Sequence, residues 1–181
     1  VTVSPTLVAL IGFMGSGKST VGPLLAARLG YGFLDLDALI EERAGKPIRR
    51  IFAEEDEEVF RDLESQVLQT LPGAAAAAQG QGEGGLVVAA GGGAPLRPEN
   101  RRWFRERAVT FYLEISFDTF LTRTASDPAR PLLLKSQEEL RQLYESRLAA
   151  YREAGRRVRA DTSGPEQIVA EILRLLGRGA V

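Results

Sequence analysis

Gly12-Phe13-Met14-Gly15-Ser16-Gly17-Lys18-Ser19-Thr20 constrains the chain more than any other stretch. It fits G-x-x-x-x-G-K-[ST], a loop whose backbone N–H groups cradle phosphates. Leu7 to Ile11, just before it, form an unbroken apolar run, as a strand buried on both faces requires. Val21, Leu24, Leu25 and Leu29, after it, recur at helical spacing. The stretch therefore joins a strand to a helix. A surface glycine turn has no need of Gly-Lys-Ser in that order behind a buried strand. Gly12, Gly15 and Gly17 let the backbone turn tightly and approach an anion. The helix adds its positive N-terminal end. Lys18 is placed to reach the outer phosphates of a nucleotide, and the Ser19 hydroxyl to hold Mg²⁺.

The rest of the chain alternates strands and helices. Thr6–Ile11 reads as a strand and Lys18–Leu29 as a helix closed by Gly30. Phe33–Asp37 follows as a strand ending in two carboxylates, then a short helix that Gly45 stops. Pro47 suits the first turn of the next helix. A longer helix is expected from Glu54 to Leu71, ended by Pro72, its acid-rich start explained by the helix dipole. Residues 73–85, rich in alanine and glycine, read as a flexible connection whose alanines can extend the helix by a turn. Leu86–Ala90 is a strand running into Gly91-Gly92-Gly93. Arg97–Arg107 (helix), Val109–Ile115 (strand) and Ser116–Thr124 (helix) come next. Residues 125–135, with Pro128 and Pro131, read as a mobile loop. Ser136 and Glu139 form a capping box for a helix running to about Glu153. Val158–Asp161 is the last strand, and Ser163 with Glu166 caps the last helix.

This order implies an α/β fold in three layers, α/β/α, around a parallel sheet of about five strands. Ligands of such sheets collect at the carboxyl ends of the strands. Gly12–Lys18, Asp35 with Asp37, and Gly91–Gly93 all follow strands directly. Three distant pieces of sequence are thereby expected on one edge.

Composition narrows the function. The 181 residues suit one domain. The formal net charge of −1 gives no basic field for nucleic acid, and the basic residues are not interleaved with aromatics. Without cysteine there is no thiolate chemistry, and without histidine a general base must be a carboxylate or a lysine. No apolar run approaches the ~20 residues that span a bilayer. Val1–Pro5 carry no basic start of a signal peptide. A cytoplasmic protein, acting without nucleic acid or membrane and as a monomer, is expected.

Near a triphosphate, one of Asp35 and Asp37 can hold Mg²⁺, directly or through water, while the other orients or deprotonates a hydroxyl nucleophile. At strand spacing both point to one side. The plainer alternative is a helix cap, for which Asp37 is placed, beside a solvated acid. Gly91, Gly92 and Gly93 make sense where a ligand approaches the backbone closely. Arg61, Arg123 and Arg147 lie on helices, and Arg130 lies in the Pro-bracketed loop, where it suits a lid closing over phosphates. Residue types and spacing reach a kinase fold resembling that of nucleoside monophosphate kinases, with a small acceptor.

With these residues in hand, the chain resembles the shikimate kinases over nearly its full length. The family's phosphate loop resembles residues 12–20, its acceptor motif Asp35-Leu36-Asp37, and its Phe-Arg-x-x-Glu helix Phe60-Arg61-Asp62-Leu63-Glu64. Its strand-end glycines match Gly91-Gly92-Gly93-Ala94, its lid Arg130-Pro131-Leu132-Leu133, and its late arginine–tyrosine pair Arg147 and Tyr151. The loop alone is common; the ordered set is specific.

The resemblance implies a P-loop NTPase fold and one kinase domain, residues 1–181. Within it fall the phosphate loop 12–20, a shikimate-binding segment at about 37–64 and a lid at about 125–135. It implies transfer of the γ-phosphate of ATP, with Mg²⁺, to the 3-hydroxyl of shikimate, on the route to chorismate and aromatic amino acids. Lys18, Asp37 and Arg130 would be catalytic, with Asp37 as the base. Gly12, Gly15, Ser16, Gly17, Lys18, Ser19, Thr20, Arg123, Arg130 and Pro165 would bind ATP. Asp37, Arg61, Gly91, Gly92, Gly93 and Arg147 would bind shikimate, with Glu64 orienting Arg61. Ser19 would ligate Mg²⁺ and Asp35 would lie near it. Two departures stand out. Asp56-Glu57 occupies the place of a usual Gly-Glu, and the loop Asp161–Pro165 lacks arginines that some members carry. A gluconate-type kinase and a non-catalytic nucleotide-dependent binding module are the rival readings.

Overall fold

The computed structural model describes residues 6–80, 84–125 and 136–178. Five strands run parallel in the order β2-β3-β1-β4-β5. They are β1 (Leu7–Ile11), β2 (Gly32–Asp35), β3 (Leu86–Ala89), β4 (Val109–Glu114) and β5 (Arg156–Arg159). Every residue of β1 is buried, as its apolar run requires at the centre of a covered sheet.

Eight helices connect the strands among the described residues: α1 (Lys18–Leu29), α2 (Leu36–Ala44), α3 (Ile48–Glu54), α4 (Glu57–Gly80), α5 (Pro98–Arg107), α6 (Phe117–Thr124), α7 (Gln137–Ala154) and α8 (Pro165–Leu175). Helices α1 and α8 pack together on one face. The right-handed crossovers put α4, α5 and α7 on the other. None of the described helices is long and apolar enough to cross a membrane.

Register and chain path position the site. Leu10 lies opposite Ala89, and Ala89 opposite Asp35. The chain thus leaves β1, β2 and β3 at one level, bringing Gly12, Leu36 and Ala90 to the same edge. From β1 the chain first builds outward to β2 and β3, then crosses to β4 on the other side. The reversal opens a crevice beside β1 at the carboxyl edge.

Three local expectations are corrected. Helix α4 continues through Pro72 to Gly80, although Pro72 was expected to end it. Proline forfeits one N–H bond and disfavours the helix interior, yet Ala74–Ala78 are the best helix formers, and Ala75 and Ala78 bury on this extension. The start also differs, since α3 ends at Glu54 and a break separates it from α4 at Glu57. At α8 the N-cap is Gly164, not Ser163, and its N–H donates to Gln167 Oε1 at 3.0 Å. The Ser136–Glu139 capping box stands as expected.

Candidate active site

The phosphate loop owes its shape to three glycines. Gly12, Gly15 and Gly17 have φ of 149°, 74° and 96°, where a side chain would strain the backbone. Phe13 anchors the loop from below. Its buried ring meets Phe120 and Tyr144 edge to face at 4.9 and 5.4 Å. Ser16 is fully buried inside the turn. Lys18 Nζ is drawn across the loop, donating to the carbonyls of Gly12 (2.7 Å) and Phe13 (3.0 Å) and to Ser16 Oγ (3.3 Å). The start of α1, with Ser19 and Thr20, opens into a cavity of about 740 Å³. A volume of this order suits a nucleotide.

Arg123 and Pro165 also line the cavity. The Arg123 guanidinium donates to the carbonyls of Gly15 (3.2 Å), Ala160 (2.6 Å) and Asp161 (3.1 Å). It ties the phosphate loop to the segment after β5. Pro165 is the first residue of α8.

Asp35 and Asp37 both line this cavity, by a route that strand spacing did not foresee. Strand β2 ends at Asp35 and Leu36 already opens α2. Asp35 is the helix cap, its Oδ1 accepting from the N–H of Asp37 (2.9 Å) and Ala38 (3.3 Å). Asp37 sits in the first turn instead of capping the helix. Burial raises the Asp37 carboxyl above its ordinary range, and the Asp35 charge adds to this against the pull of Lys18.

Beyond the cavity's end stands a cluster of charged side chains. Arg61, on α4, is buried between Glu64 (Nη1 to Oε2, 3.0 Å) and Glu57 (Nη2 to Oε1, 2.9 Å). Glu64 is fully buried, and burial pushes its carboxyl up to about 7 against the pull of Arg61. Arg147 comes from α7 and lies over the Phe13 ring, 5.6 Å from its centre.

Gly91, Gly92 and Gly93 separate the two regions, and all three are tight. A Cβ at Gly91 would fall 2.6 Å from Asp37 Oδ1 and 3.3 Å from Glu64 Oε1. At Gly92 it would meet Arg147 Nη1 at 3.3 Å, and at Gly93 it would fall on the Arg61 guanidinium. Space for the site's own side chains thus demands these glycines.

Of the expected ATP-side residues, Gly15 to Thr20, Arg123 and Pro165 line one cavity with Asp35, Asp37, Gly91 and Gly92, while Gly12 lies behind it, at the foot of the loop. Arg61, Gly93 and Arg147 adjoin it past the glycine turn. Arg130 and the lid at about 125–135 fall outside the described residues, apart from Ala125. As for a metal, the donors beside the phosphate loop are a hydroxyl (Ser19) and carboxylates (Asp35, Asp37), all hard oxygens facing the same cavity. Mutual repulsion of the two acids adds a demand for positive charge there. The set suits Mg²⁺, which binds through few protein oxygens and keeps several waters.

A model of the shikimate kinase family matches residues 14–177. The chain belongs to the shikimate kinase family. Curated relatives named shikimate kinase include one from Persephonella marina, 41% identical, covering 92% of this chain and 96% of the relative. Another, from Geobacter sulfurreducens, is 46% identical over 91% of this chain and 87% of its own. Among solved structures, the shikimate kinase of Acinetobacter baumannii, in complex with shikimate, superposes with a TM-score of 0.82 at 35% identity, covering 96% of this chain and 94% of that one. A gluconokinase from Sinorhizobium meliloti reaches a TM-score of 0.59 at 21% identity over 96% of this chain and 93% of its own, a likeness of fold alone.

Sequence reasoning missed several supports of this candidate site. Glu57, taken as a dipole-favoured acid, pairs with Arg61. Arg97 bridges Glu58 (2.5 Å) and Asp62 (2.7 Å), tying the start of α5 to the first turns of α4. Phe13, to which the sequence assigned no role of its own, lies under Arg147. The Arg61 pairs follow helical i, i+3 and i, i+4 spacing and had a readable signal. The Arg97 and Phe13 contacts span distant residues and had none.

Proposed function

We propose that the protein transfers the γ-phosphate of ATP to the 3-hydroxyl of shikimate, giving shikimate 3-phosphate and ADP. One observation carries this reading. Asp37 and two arginines, Arg61 and Arg147, converge on the glycine turn where the phosphate cavity ends. Shikimate carries one carboxylate and three hydroxyls. Guanidinium forks match a carboxylate, and two of them favour an acidic acceptor over a neutral sugar.

In this reading Arg61 and Arg147 hold the carboxylate, Glu64 orients Arg61, and Asp37 with Gly91, Gly92 and Gly93 faces the ring hydroxyls. Asp37 takes the proton of the 3-hydroxyl. Its raised pKa suits that task better than that of an ordinary aspartate. The 3-oxygen bonds to the γ-phosphorus, and the bond from that phosphorus to the β–γ bridging oxygen breaks. ADP leaves with the released charge. Lys18 and the N–H groups at the start of α1 stabilise that charge. Arg123 and Pro165 border the base and ribose. Mg²⁺, held through Ser19 with Asp35 nearby, would neutralise phosphate charge when bound. Arg130 and the lid segment keep the role that family resemblance gives them, closing over the transferring phosphate. In this reading the protein acts as a monomer in the cytoplasm.

Product analysis tests the assignment. Shikimate incubated with ATP, Mg²⁺ and the protein should gain one phosphate, with phosphorus NMR coupling to the proton on C3. A phosphate on another hydroxyl would contradict the placement of Asp37.

A further inference from the structure

Tyr151 lies on α7, fully buried, one helical turn after Arg147. Its ring stacks on Tyr112, with centres 5.1 Å apart and planes at 27°. Tyr112 is itself paired in the sheet with Ile11, the residue before the phosphate loop. The central strands thereby fix the phenol in place. Its hydroxyl donates to the Gly92 carbonyl at 2.5 Å. A phenol has one proton to give, so the same oxygen is left to accept, and the Arg147 guanidinium stands beside it, both lying within 4 Å of the point where a Gly92 Cβ would sit. A Cβ at Gly92 would meet Arg147 Nη1 (3.3 Å), Tyr151 Oη (3.6 Å) and the Gly12 carbonyl (3.7 Å), so these groups crowd around one point.

Arg147 needs such support. Its Nε is buried without a hydrogen-bond partner, so that edge of the guanidinium does not set its direction. The Phe13 ring lies under its face, Glu64 acts on its charge, and the Tyr151 oxygen stands beside the fork, placed to fix its rotation.

We propose that Tyr151 is a positioning residue of the acceptor site, its one oxygen holding both the glycine turn at Gly92 and the carboxylate-gripping fork of Arg147. The inference rests on the acceptor reading given above. Burial pushes the phenol up to about 12 against the pull of Arg147, so it stays a donor and an acceptor wherever the kinase works.

Tyr151→Phe keeps the ring and its stacking and removes only the oxygen. Wild-type turnover of shikimate is measured first, and its absence would overturn this inference together with the acceptor reading. Given turnover, the Phe variant is expected to raise the shikimate KM by about tenfold, the scale of one lost charge-assisted hydrogen bond. The ATP KM should stay within about twofold, and kcat should change less than the shikimate KM. In an Arg147→Ala background the same change should cost less than about twofold, because its effect runs through Arg147. An unchanged shikimate KM, or equal losses in both backgrounds, would overturn the positioning role. A merely structural tyrosine would lower the melting temperature without this split. Should the Phe variant not fold, Gly92→Ala pushes on Arg147 from the other side. It is expected to raise the shikimate KM while sparing that of ATP, and a normal shikimate KM would overturn the proposal.

Discussion

On the phosphate side of the cavity the groups facing the ligand come from one uninterrupted run, Gly12 to Thr20, and most of them are backbone. On the acceptor side they come from α2, α4, the turn after β3 and α7, and most are side chains. The first region is held by glycine conformations and the start of a helix. Even its lysine rests on main-chain carbonyls. The second is held by its own side chains: Arg61 by two glutamates, Arg147 by the Phe13 ring under its face. A backbone-built site is fixed by local sequence. A side-chain-built site is fixed only when the whole sheet is in place, so damage to one member should spread to the others.

Substitutions on either side can break or sharpen that contrast. Lys18→Met removes the side-chain charge of the backbone-built side. Turnover should fall by about a thousandfold or more, since amides alone cannot balance the charge developing between the β- and γ-phosphates. Near-normal kcat would mean that the backbone suffices without it.

Asp37→Asn should lower kcat by about 10²- to 10⁴-fold while both substrates still bind. Asp37 must be ionised to accept a proton, and its pKa is raised. The wild-type rate should therefore fall on acidification with a midpoint above the ordinary aspartate value of about 3.9. A midpoint at or below that value would remove Asp37 as the base.

Arg61→Ala should weaken shikimate binding by about ten- to a hundredfold and leave ATP within about twofold. Gly93→Ala should do nearly the same without touching a charge, because its methyl would displace the Arg61 guanidinium. Equal losses for both ligands would show that this side supports the fold and not the acceptor.

The smallest effect belongs to the rim. Arg97→Ala breaks ion pairs whose acidic partners are largely exposed, so denaturant unfolding should register a loss of no more than about 1 kcal/mol. A loss several times larger would place Arg97 inside the acceptor network.

The same contrast explains what the sequence revealed. The phosphate loop, α1 with its Gly30 cap and the Ser136–Glu139 box were legible because each rests on neighbours in sequence. The parallel sheet followed from apolar runs alternating with amphipathic ones. Asp35 and Asp37 were found, but their geometry was misjudged, because nothing in Asp-Leu-Asp says that the strand stops at its first residue. Pro72 was taken as a helix end because propensity speaks for the isolated chain, whereas packing of Ala75 and Ala78 decides in the fold. Arg61 with Glu64 carried a helical spacing, yet only burial reveals that the pair lies inside the protein. The bond from Tyr151 to Gly92 and the tie from Arg97 to α4 join residues far apart in sequence, and no local pattern announces them.

The central claim is that the two arginines at the cavity's acceptor end select shikimate for a phosphate delivered by the loop. The most direct measurement is ADP release from ATP and Mg²⁺ by the purified protein, with shikimate, with gluconate and with no acceptor. The account predicts release that depends on shikimate and stays near background in the other two mixtures. Release with gluconate in place of shikimate, or release indifferent to the acceptor, would contradict it.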